Sequence, residues 1–540
     1  MKRGVVMPQI QVLDCTLRDG GYCNGWNFGE KNIYKIIKSL IDSKVNIIEC
    51  GFLTERVEYD RNISKFTDIK QLDRFIPKIK MNQLFVVMIN YGEYELDKIP
   101  DSNSCRIDGI RVAFHKNDSK KALEYCRGLI SKGYMVFIQP MVSMNYKDKE
   151  FIELIKEINK VQPIASYIVD SFGTMRKKDL LHYFYLMDAF LDENIIIGFH
   201  SHNNVQSALA NAQCLLEQRT DHALIFDSSI YGMGRGAGNL NSELFLKELN
   251  ENKKANYAIK PLLQVMDECL NYFYKEHPWG YTLPNYLSAA YMIHPNYTNY
   301  LMEKNTLTLD AIDDIFSLLD KEHAVEFDPE YIEEVYKDYM SKGKANTTHM
   351  EEFIQYLQGK RVLLIAPGKW AIKDVKCIKE FIEKEKAVVI SINHELEIYN
   401  TDYIFVSNMR RYNELPSNVY NKVIATTNIK NEESYLKLDY YSLTNPSRFG
   451  HDNAGLMAIQ LMLNLGKSEI WLAGYDGYDY QSDENYDSLD MALVMSAEQI
   501  DTLNKEMEQV LSDLSDKIAL HFITETKYKI NNSNTILTKR

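Results

Sequence analysis

Ile195-Ile196-Ile197-Gly198-Phe199-His200-Ser201-His202 reads as a β-strand that stays apolar almost to its end and then presents two imidazoles two positions apart. A strand sends alternate side chains to one face, so His200 and His202 point the same way and can reach one ion. Short apolar, β-branched runs of the same kind recur at 10–13, 45–49, 84–89, 110–114, 135–138, 167–169 and 224–226. Between most of them the apolar residues take helical spacing, as in Ile33, Ile36, Ile37, Leu40 and Ile41. Alternating strands and helices with near-continuous apolar strands predict a parallel sheet covered by helices. Eight such strands predict a closed (β/α)8 TIM barrel.

The polar residues fall where such a barrel uses them. Arg18, Asp19, Glu49, His115, Gln139, Asp170, Ser171, His200, His202 and Asp227 all stand at or just beyond the C-terminal ends of different strands, the rim that holds the active site in this fold. Asp19, in Cys15-Thr16-Leu17-Arg18-Asp19-Gly20-Gly21, supplies a carboxylate to the two imidazoles, and that trio is a plausible shell for a divalent metal with open positions for substrate. Glu49, His115, Asp170 and Ser171 are the candidates to contact substrate. After the eighth strand, Tyr231-Gly232-Met233-Gly234-Arg235-Gly236-Ala237-Gly238-Asn239 lets the backbone turn tightly, and Asn239 can add an oxygen to a hard cation. The segment has neither the Walker lysine nor the Rossmann spacing, so it is not a nucleotide loop.

From about Gln9 to Tyr339 the chain resembles the DRE-TIM metallolyase superfamily, the group of hydroxymethylglutaryl-CoA lyase, isopropylmalate synthase and 4-hydroxy-2-oxovalerate aldolase. The motifs that carry the resemblance are Thr16-Leu17-Arg18-Asp19-Gly20, Ile48-Glu49-Cys50-Gly51-Phe52, Val169-Asp170-Ser171, Gly198-Phe199-His200-Ser201-His202-Asn203-Asn204 and Gly234-Arg235-Gly236-Ala237-Gly238-Asn239. It implies that Asp19, His200 and His202 bind manganese or magnesium, with Asn239 a further ligand, and that Arg18 contacts the oxygen carrying an enolate charge. The implied reaction makes or breaks a carbon-carbon bond next to a 2-oxo acid, with an aldehyde as second partner. Where the hydroxyoxovalerate aldolases carry a histidine three positions after the metal-binding aspartate, this chain has Tyr22. A phenol at its ordinary value of about 10 is a poor base, so His294 and His115 stand as rivals to Tyr22. The acid and glutamine that acyl-CoA-condensing members carry after Arg-Asp-Gly are absent, which argues for an aldolase or lyase over a Claisen synthase.

At 540 residues the chain is too long for one core. The expected domains are the barrel at 1–255, a helical extension over its rim at 256–345, and a second α/β unit at 355–540. By the family resemblance the extension completes the site and supports a homodimer. Ser341-Lys342-Gly343-Lys344-Ala345-Asn346-Thr347-Thr348 reads as a polar bridge between domains. Beyond it, apolar runs at 361–366, 387–390, 403–407, 423–426 and 469–473 predict a small open parallel sheet, a Rossmann-like domain. The turn Pro367-Gly368-Lys369-Trp370 is a candidate anion site. This part is similar to bacterial sialyltransferases and pterin diphosphokinase-like domains through Ala366-Pro367-Gly368-Lys369, Asp452-Asn453-Ala454-Gly455 and Gly466-Lys467-Ser468-Glu469-Ile470-Trp471-Leu472-Ala473-Gly474-Tyr475-Asp476. That likeness implies a nucleotide or sugar nucleotide as ligand, although 483–490 offers no counterpart of the sialyltransferase histidine. A glycan-pathway transferase or nucleotide-sugar-binding protein is therefore the alternative to an aldolase, and surface-polysaccharide precursor metabolism a context for either.

Lys and Arg number 62 against 75 Asp and Glu, a net charge of −13 that disfavours nucleic acid as partner and fits a cytoplasmic enzyme. Residues 1–8 are too brief for a signal peptide, no apolar run approaches a membrane span, and the eight scattered cysteines read as reduced thiols.

Overall fold

The computed structural model describes residues 9–79, 82–304, 307–320, 323–324, 327–430, 433–480 and 496–530. The stretches 1–8 and 483–490 considered above lie outside the described residues. The chain divides into two compact units, 1–298 and 299–540.

In the first unit eight parallel strands follow one another around a ring: β1 (Ile10–Asp14), β2 (Ile47–Leu53), β3 (Leu84–Asn90), β4 (Gly109–Phe114), β5 (Met135–Pro140), β6 (Ala165–Asp170), β7 (Ile196–Ser201) and β8 (Leu224–Ser228). β1 pairs with β8, Ile10 opposite Leu224, and also with β2, Leu13 opposite Ile47, so the sheet closes on itself. The apolar runs of the sequence are these eight strands, and the fold is a (β/α)8 barrel.

The pleat separates two cores. Val12, Ile48, Val87, Ile110, Ile138, Ile168, Ile197 and Phe226 point outward and pack with helix residues such as Ile33, Ile36, Ile37 and Leu40 of α1 (Glu30–Asp42). Leu13, Ile47, Val86, Phe137, Ala165, Tyr167, Ile196 and Ile225 point inward and fill the lumen. On that inward parity the side chains turn polar toward the C-terminal ends: Glu49 follows Ile47, Gln139 follows Phe137, His200 follows Ile196, and Asp227 follows Ile225. The period of two that builds the barrel therefore also gathers the site.

At the end of β1, Asp14 is fully buried, accepting from Ser242 Oγ at 2.6 Å and from Thr16 N at 2.9 Å. Burial outweighs these bonds and pushes its carboxyl up to about 6. The folded protein therefore holds a proton that the unfolded chain releases near pH 4. Between pH 4 and 6 this group's contribution to stability falls as pH rises, by an amount on the order of 2–3 kcal/mol. Asp14→Asn, which keeps an acceptor for Thr16 N and reverses the bond to Ser242 Oγ so that the amide donates, is expected to remove that slope. Urea midpoints of both proteins across pH 4–7 check it, and identical profiles would refute it.

Of the helices in 256–345, Lys260–Val265, Asn271–Glu276 and Leu283–Tyr291 belong to the first unit, and Leu309–Leu318 and Pro329–Ser341 to the second. The second unit is built on seven parallel strands: β9 (Val362–Ile365), β10 (Val388–Ile392), β11 (Tyr403–Val406), β12 (Val423–Thr426), β13 (Leu436–Leu438), β14 (Glu469–Ala473) and β15 (Ala519–Phe522). Their order, β13-β12-β11-β10-β9-β14-β15, reverses between β9 and β14, the topology of a Rossmann-like sheet. At the reversal, Trp370 N donates to Asp476 Oδ2 at 2.8 Å. The turn considered for an anion is thus already met by the chain's own carboxylate.

All eight cysteines are free, and Cys15 and Cys50 are buried in the barrel. Among the described residues no helix is long and apolar enough to cross a membrane.

Candidate metal centre

The chain leaves β1 through a single helical turn, Thr16–Asp19, tied to the end of the neighbouring β8 by Cys15 N donating to Ser228 O at 2.8 Å and Ile230 N donating to Thr16 Oγ1 at 2.8 Å. This turn carries Arg18 and Asp19 into the lumen, where both are buried. Asp19, His200 and His202 each place a ligand atom within 4.8 Å of the other two. His200 Nδ1 lies 2.9 Å from Asp227 Oδ2, which fixes the ring and leaves Nε2 for an ion. His202 Nδ1 stands 3.7 Å from Asp19 Oδ2 and has no hydrogen-bond partner. A buried imidazole nitrogen left over beside a carboxylate is what an ion between them would use, so the donor set fits a divalent metal.

Electrostatics keep these groups in ligand form. Burial pushes His202 down to about 3, against the pull of Asp19, so the imidazole is neutral. Burial alone would raise the Asp19 carboxyl, but the positive charge beside it, Arg18 above all and then Arg235, holds it well below the usual carboxylate range. Asp227 is likewise held down against burial, by Arg111 and His200.

A chain of ion pairs crosses the lumen behind the centre. Arg18 Nη1 donates to Asp19 Oδ1 at 2.7 Å and Nε to Glu49 Oε2 at 2.8 Å. Glu49 Oε1 lies 2.8 Å from Arg111 Nη1, and Arg111 Nη2 pairs with Asp227 Oδ2, the oxygen that also meets His200. Two buried guanidinium groups, Arg18 and Arg111, thus face three buried carboxylates, Asp19, Glu49 and Asp227, and Arg235 at the cavity evens the count. Sequence reasoning placed Asp227 on the rim without a role and missed Arg111. The signal for Arg111 was its inward parity within the apolar run of β4.

The cavity above the centre measures about 60 Å³ and is lined by Arg18, Asp19, Tyr22, His200, His202 and Arg235, with Gln139, Asn90 and Ser171 as further polar groups and Phe52, Met88 and Met141 as apolar walls. At roughly 10–15 Å³ per water position, it admits a ligand of a few heavy atoms. Gln139 is 2% exposed and its Nε2 has no hydrogen-bond partner. Arg235 donates Nη2 to Ser171 O at 2.9 Å, with its guanidinium 5.6 Å from the Tyr22 ring centroid.

The remaining sequence candidates sort themselves by geometry. Glu49 is outside the cavity lining and orients Arg18. Ser171 lines the cavity and accepts Val142 N through Oγ at 2.9 Å. Asp170 turns its carboxylate onto the amides of Thr174 and Met175, at 3.0 and 3.1 Å, away from the cavity. His115 is half-buried beyond β4 and does not line the cavity. Asn239 donates Nδ2 to Asp19 Oδ2 at 2.6 Å while Oδ1 has no partner, so its oxygen reaches the ion only after a half-turn of the amide. Gly234 permits this approach, since a Cβ there would stand 2.3 Å from Asn239 Nδ2 and 2.9 Å from Asp19 Oδ2. Tyr22 lines the cavity, but burial raises its phenol, the direction opposite to what a base needs. His294 is outside the lining; burial and then Arg235 push it down to about 4, so it is a neutral acceptor. Cys23 donates Sγ to Gly234 O at 3.3 Å and is pushed up by burial to about 12, a packing thiol and no nucleophile.

Comparison with known proteins agrees with this geometry. Residues 106–267 match the HMGL-like family. The chain is 25% identical over 277 residues to a 4-hydroxy-2-oxovalerate aldolase of Pelotomaculum thermopropionicum, covering 49% of this chain and 76% of that one. It is 24% identical over 271 residues to an oxaloacetate decarboxylase of Mycobacterium tuberculosis, covering 50% and 78%. Among solved structures, the HMG-CoA lyase from Brucella melitensis is 14% identical with a TM-score of 0.39, covering 49% of this chain and 97% of that one. The N-terminal part of the chain carries an HMGL-like match and is similar to aldolases and lyases of the DRE-TIM metallolyase type. These likenesses support a lyase, and Asp19, His200 and His202 form a group that could hold its metal.

Proposed function

We propose that the barrel is an aldolase or lyase acting on the carbon-carbon bond next to a 2-oxo acid, with pyruvate-enolate chemistry and an aldehyde as the second partner. The observation that supports it is the convergence of Asp19, His200 and His202 at a small cavity with Arg18 beside them. The relatives named above as aldolase and decarboxylase have a 2-oxo acid in common. Asp19, His200 and His202 would hold manganese or magnesium, with Asn239 the further candidate. When bound, the ion acts as a Lewis acid toward the oxygens of the acid.

The chain's own residues supply the rest. Arg18 spends Nε and one Nη1 hydrogen on Glu49 and Asp19, leaving three of its five N–H donors for the oxygen on which charge develops. Because two carboxylates already hold the guanidinium, it need not reorganise as that charge grows. Gln139 Nε2 is placed to donate to the carboxylate of the acid. Tyr22, protonated at neutral pH, acts as a proton donor, and His294, neutral there, as the acceptor. His294→Gln is then expected to lower kcat about 10²-fold and Tyr22→Phe less. PH profiles of kcat for the two variants check this, and an unchanged His294→Gln profile hands the base to His115 or a water.

The test of the reading is pyruvate release by the full-length protein, stripped with chelator and reloaded with Mn2+ or Mg2+, from a panel of 4-hydroxy-2-oxo acids and oxaloacetate. Release that requires the metal is expected. A reloaded protein that turns over none of them would sink it.

A further inference from the structure

The second unit contains a cavity of about 670 Å³ that the barrel chemistry does not use. Lys342 and Lys344 line it from the stretch before the sheet, and Lys430 and Lys437 from the β12–β13 edge. Among the described residues Asp314 is the one carboxylate in the lining. On a chain whose net charge is −13, four ammonium groups around one space form an island of opposite sign.

Two features anchor the stretch that carries Lys342 and Lys344. Asn346 and Lys437 exchange both backbone hydrogen bonds, at 2.8 and 2.9 Å, so the stretch read in the sequence as a loose bridge is stapled to the edge of the sheet. Gly343 approaches β12 so closely that a Cβ would stand 1.9 Å from Thr427 O. The backbone that carries Lys342 and Lys344 is thereby anchored beside Lys430 and Lys437, with both of their side chains exposed. Lys437 is 5% exposed, in a wall of low dielectric where attraction for an anion is strongest. Lys430 pairs with Asp314 and lies 5.0 Å from the ring centroid of the buried Tyr339, and Lys437 also has a partner within the fold, so neither is a free charge.

We infer that this cavity binds a phosphorylated small molecule of nucleotide size. Compact ammonium groups arrayed around a space suit the dispersed charge of a phosphate chain, whereas a lone carboxylate is matched better by the planar fork of an arginine. The volume falls in the range of roughly 300–1,000 Å³ usual for small-molecule sites. Thr427 and Asn428 follow β12 directly, so the cavity lies beyond the carboxyl end of a parallel strand, at the sheet's edge and away from the reversal between β9 and β14. The inference stands apart from the barrel reaction, and failure of either leaves the other intact.

Equilibrium dialysis of the full-length protein in chelator, with ATP, CTP and inorganic pyrophosphate as probes, tests it. Saturable binding that weakens with salt is expected, weaker by about tenfold or more in the Lys342→Glu/Lys344→Glu double variant. Both side chains are exposed, so the fold should tolerate the change. Nucleotide bound more tightly than pyrophosphate would show that base and sugar are read, and equal binding that the phosphates alone are; either supports the site. Failure of all three probes to bind the wild-type protein overturns it, as does equal affinity in the double variant. Loss of binding in Lys369→Glu with retention in the double variant would also overturn it, moving the ligand to the reversal of the sheet.

Discussion

Arg18→Ala is expected to keep its metal and lose its turnover, while Asp19→Ala loses both. Arg18 and the ion share one carboxylate, since Nη1 sits 2.7 Å from Asp19 Oδ1. Taking the guanidinium away leaves Asp19 free for the cation and removes a positive charge beside it, so affinity for manganese should hold or rise. What disappears is the donor set aimed at the developing oxyanion, a loss of about 10²–10³ in kcat, or roughly 3–4 kcal/mol. Asp19→Ala does the reverse. It deletes the anionic member of the metal trio and leaves Arg18 unbalanced against an incoming cation, so stoichiometric metal should not survive desalting. Metal content by mass spectrometry and kcat on the same preparations separate the cases. An Arg18→Ala enzyme within about threefold of wild type would remove Arg18 from the chemistry, and a fully loaded Asp19→Ala protein would remove Asp19 from the centre.

The contrast between these variants also marks how far the sequence could be read. Strand-end parity put His200 and His202 on one face, and the geometry brings Asp19 to them. The apolar runs located all eight barrel strands but stopped short at several ends, because β7 and β8 continue into polar residues, through Ser201 and Ser228, that still belong to the ladder. Glu49 and Asp170 were legible as rim residues but not as to where their carboxylates turn. That direction depends on partners, Arg18 and Arg111 for one and the Thr174 and Met175 amides for the other, which only the closed ring brings near. In the second unit the runs found five of the seven strands. β13 is only three residues long, and β15 is interrupted by His521. At the turn of Gly368 and Lys369, read as a simple strand-helix turn or an anion site, no local pattern contains the contact that meets it, the return of Asp476 to Trp370 N 106 positions later.

Arg111 was invisible for a related reason, and the largest stability effect should lie there. A charged residue between Ile110 and Val112 looks like an exception to the strand pattern, yet it is 0% exposed and is the bridge between Glu49 and Asp227. Its guanidinium also faces the buried Tyr167 ring, 5.0 Å from the centroid. Arg111→Met should fill much of the volume but leave two buried carboxylates short of a partner, a cost of about 3–5 kcal/mol. Against a total stability of roughly 5–15 kcal/mol for a typical domain, that is enough to shift the urea midpoint strongly. The same change should loosen the metal. Asp227 would take up a proton to avoid standing as an uncompensated charge, its hold on His200 Nδ1 would weaken, and affinity should fall about 10–100-fold. Adding Glu49→Gln to Arg111→Met removes one stranded charge and should recover part of the midpoint while leaving metal affinity low, because the His200 support is not restored. If Arg111→Met unfolds at the wild-type midpoint, or if Glu49→Gln restores metal affinity along with stability, then the line of ion pairs from Arg18 to His200 does not act as a connected support.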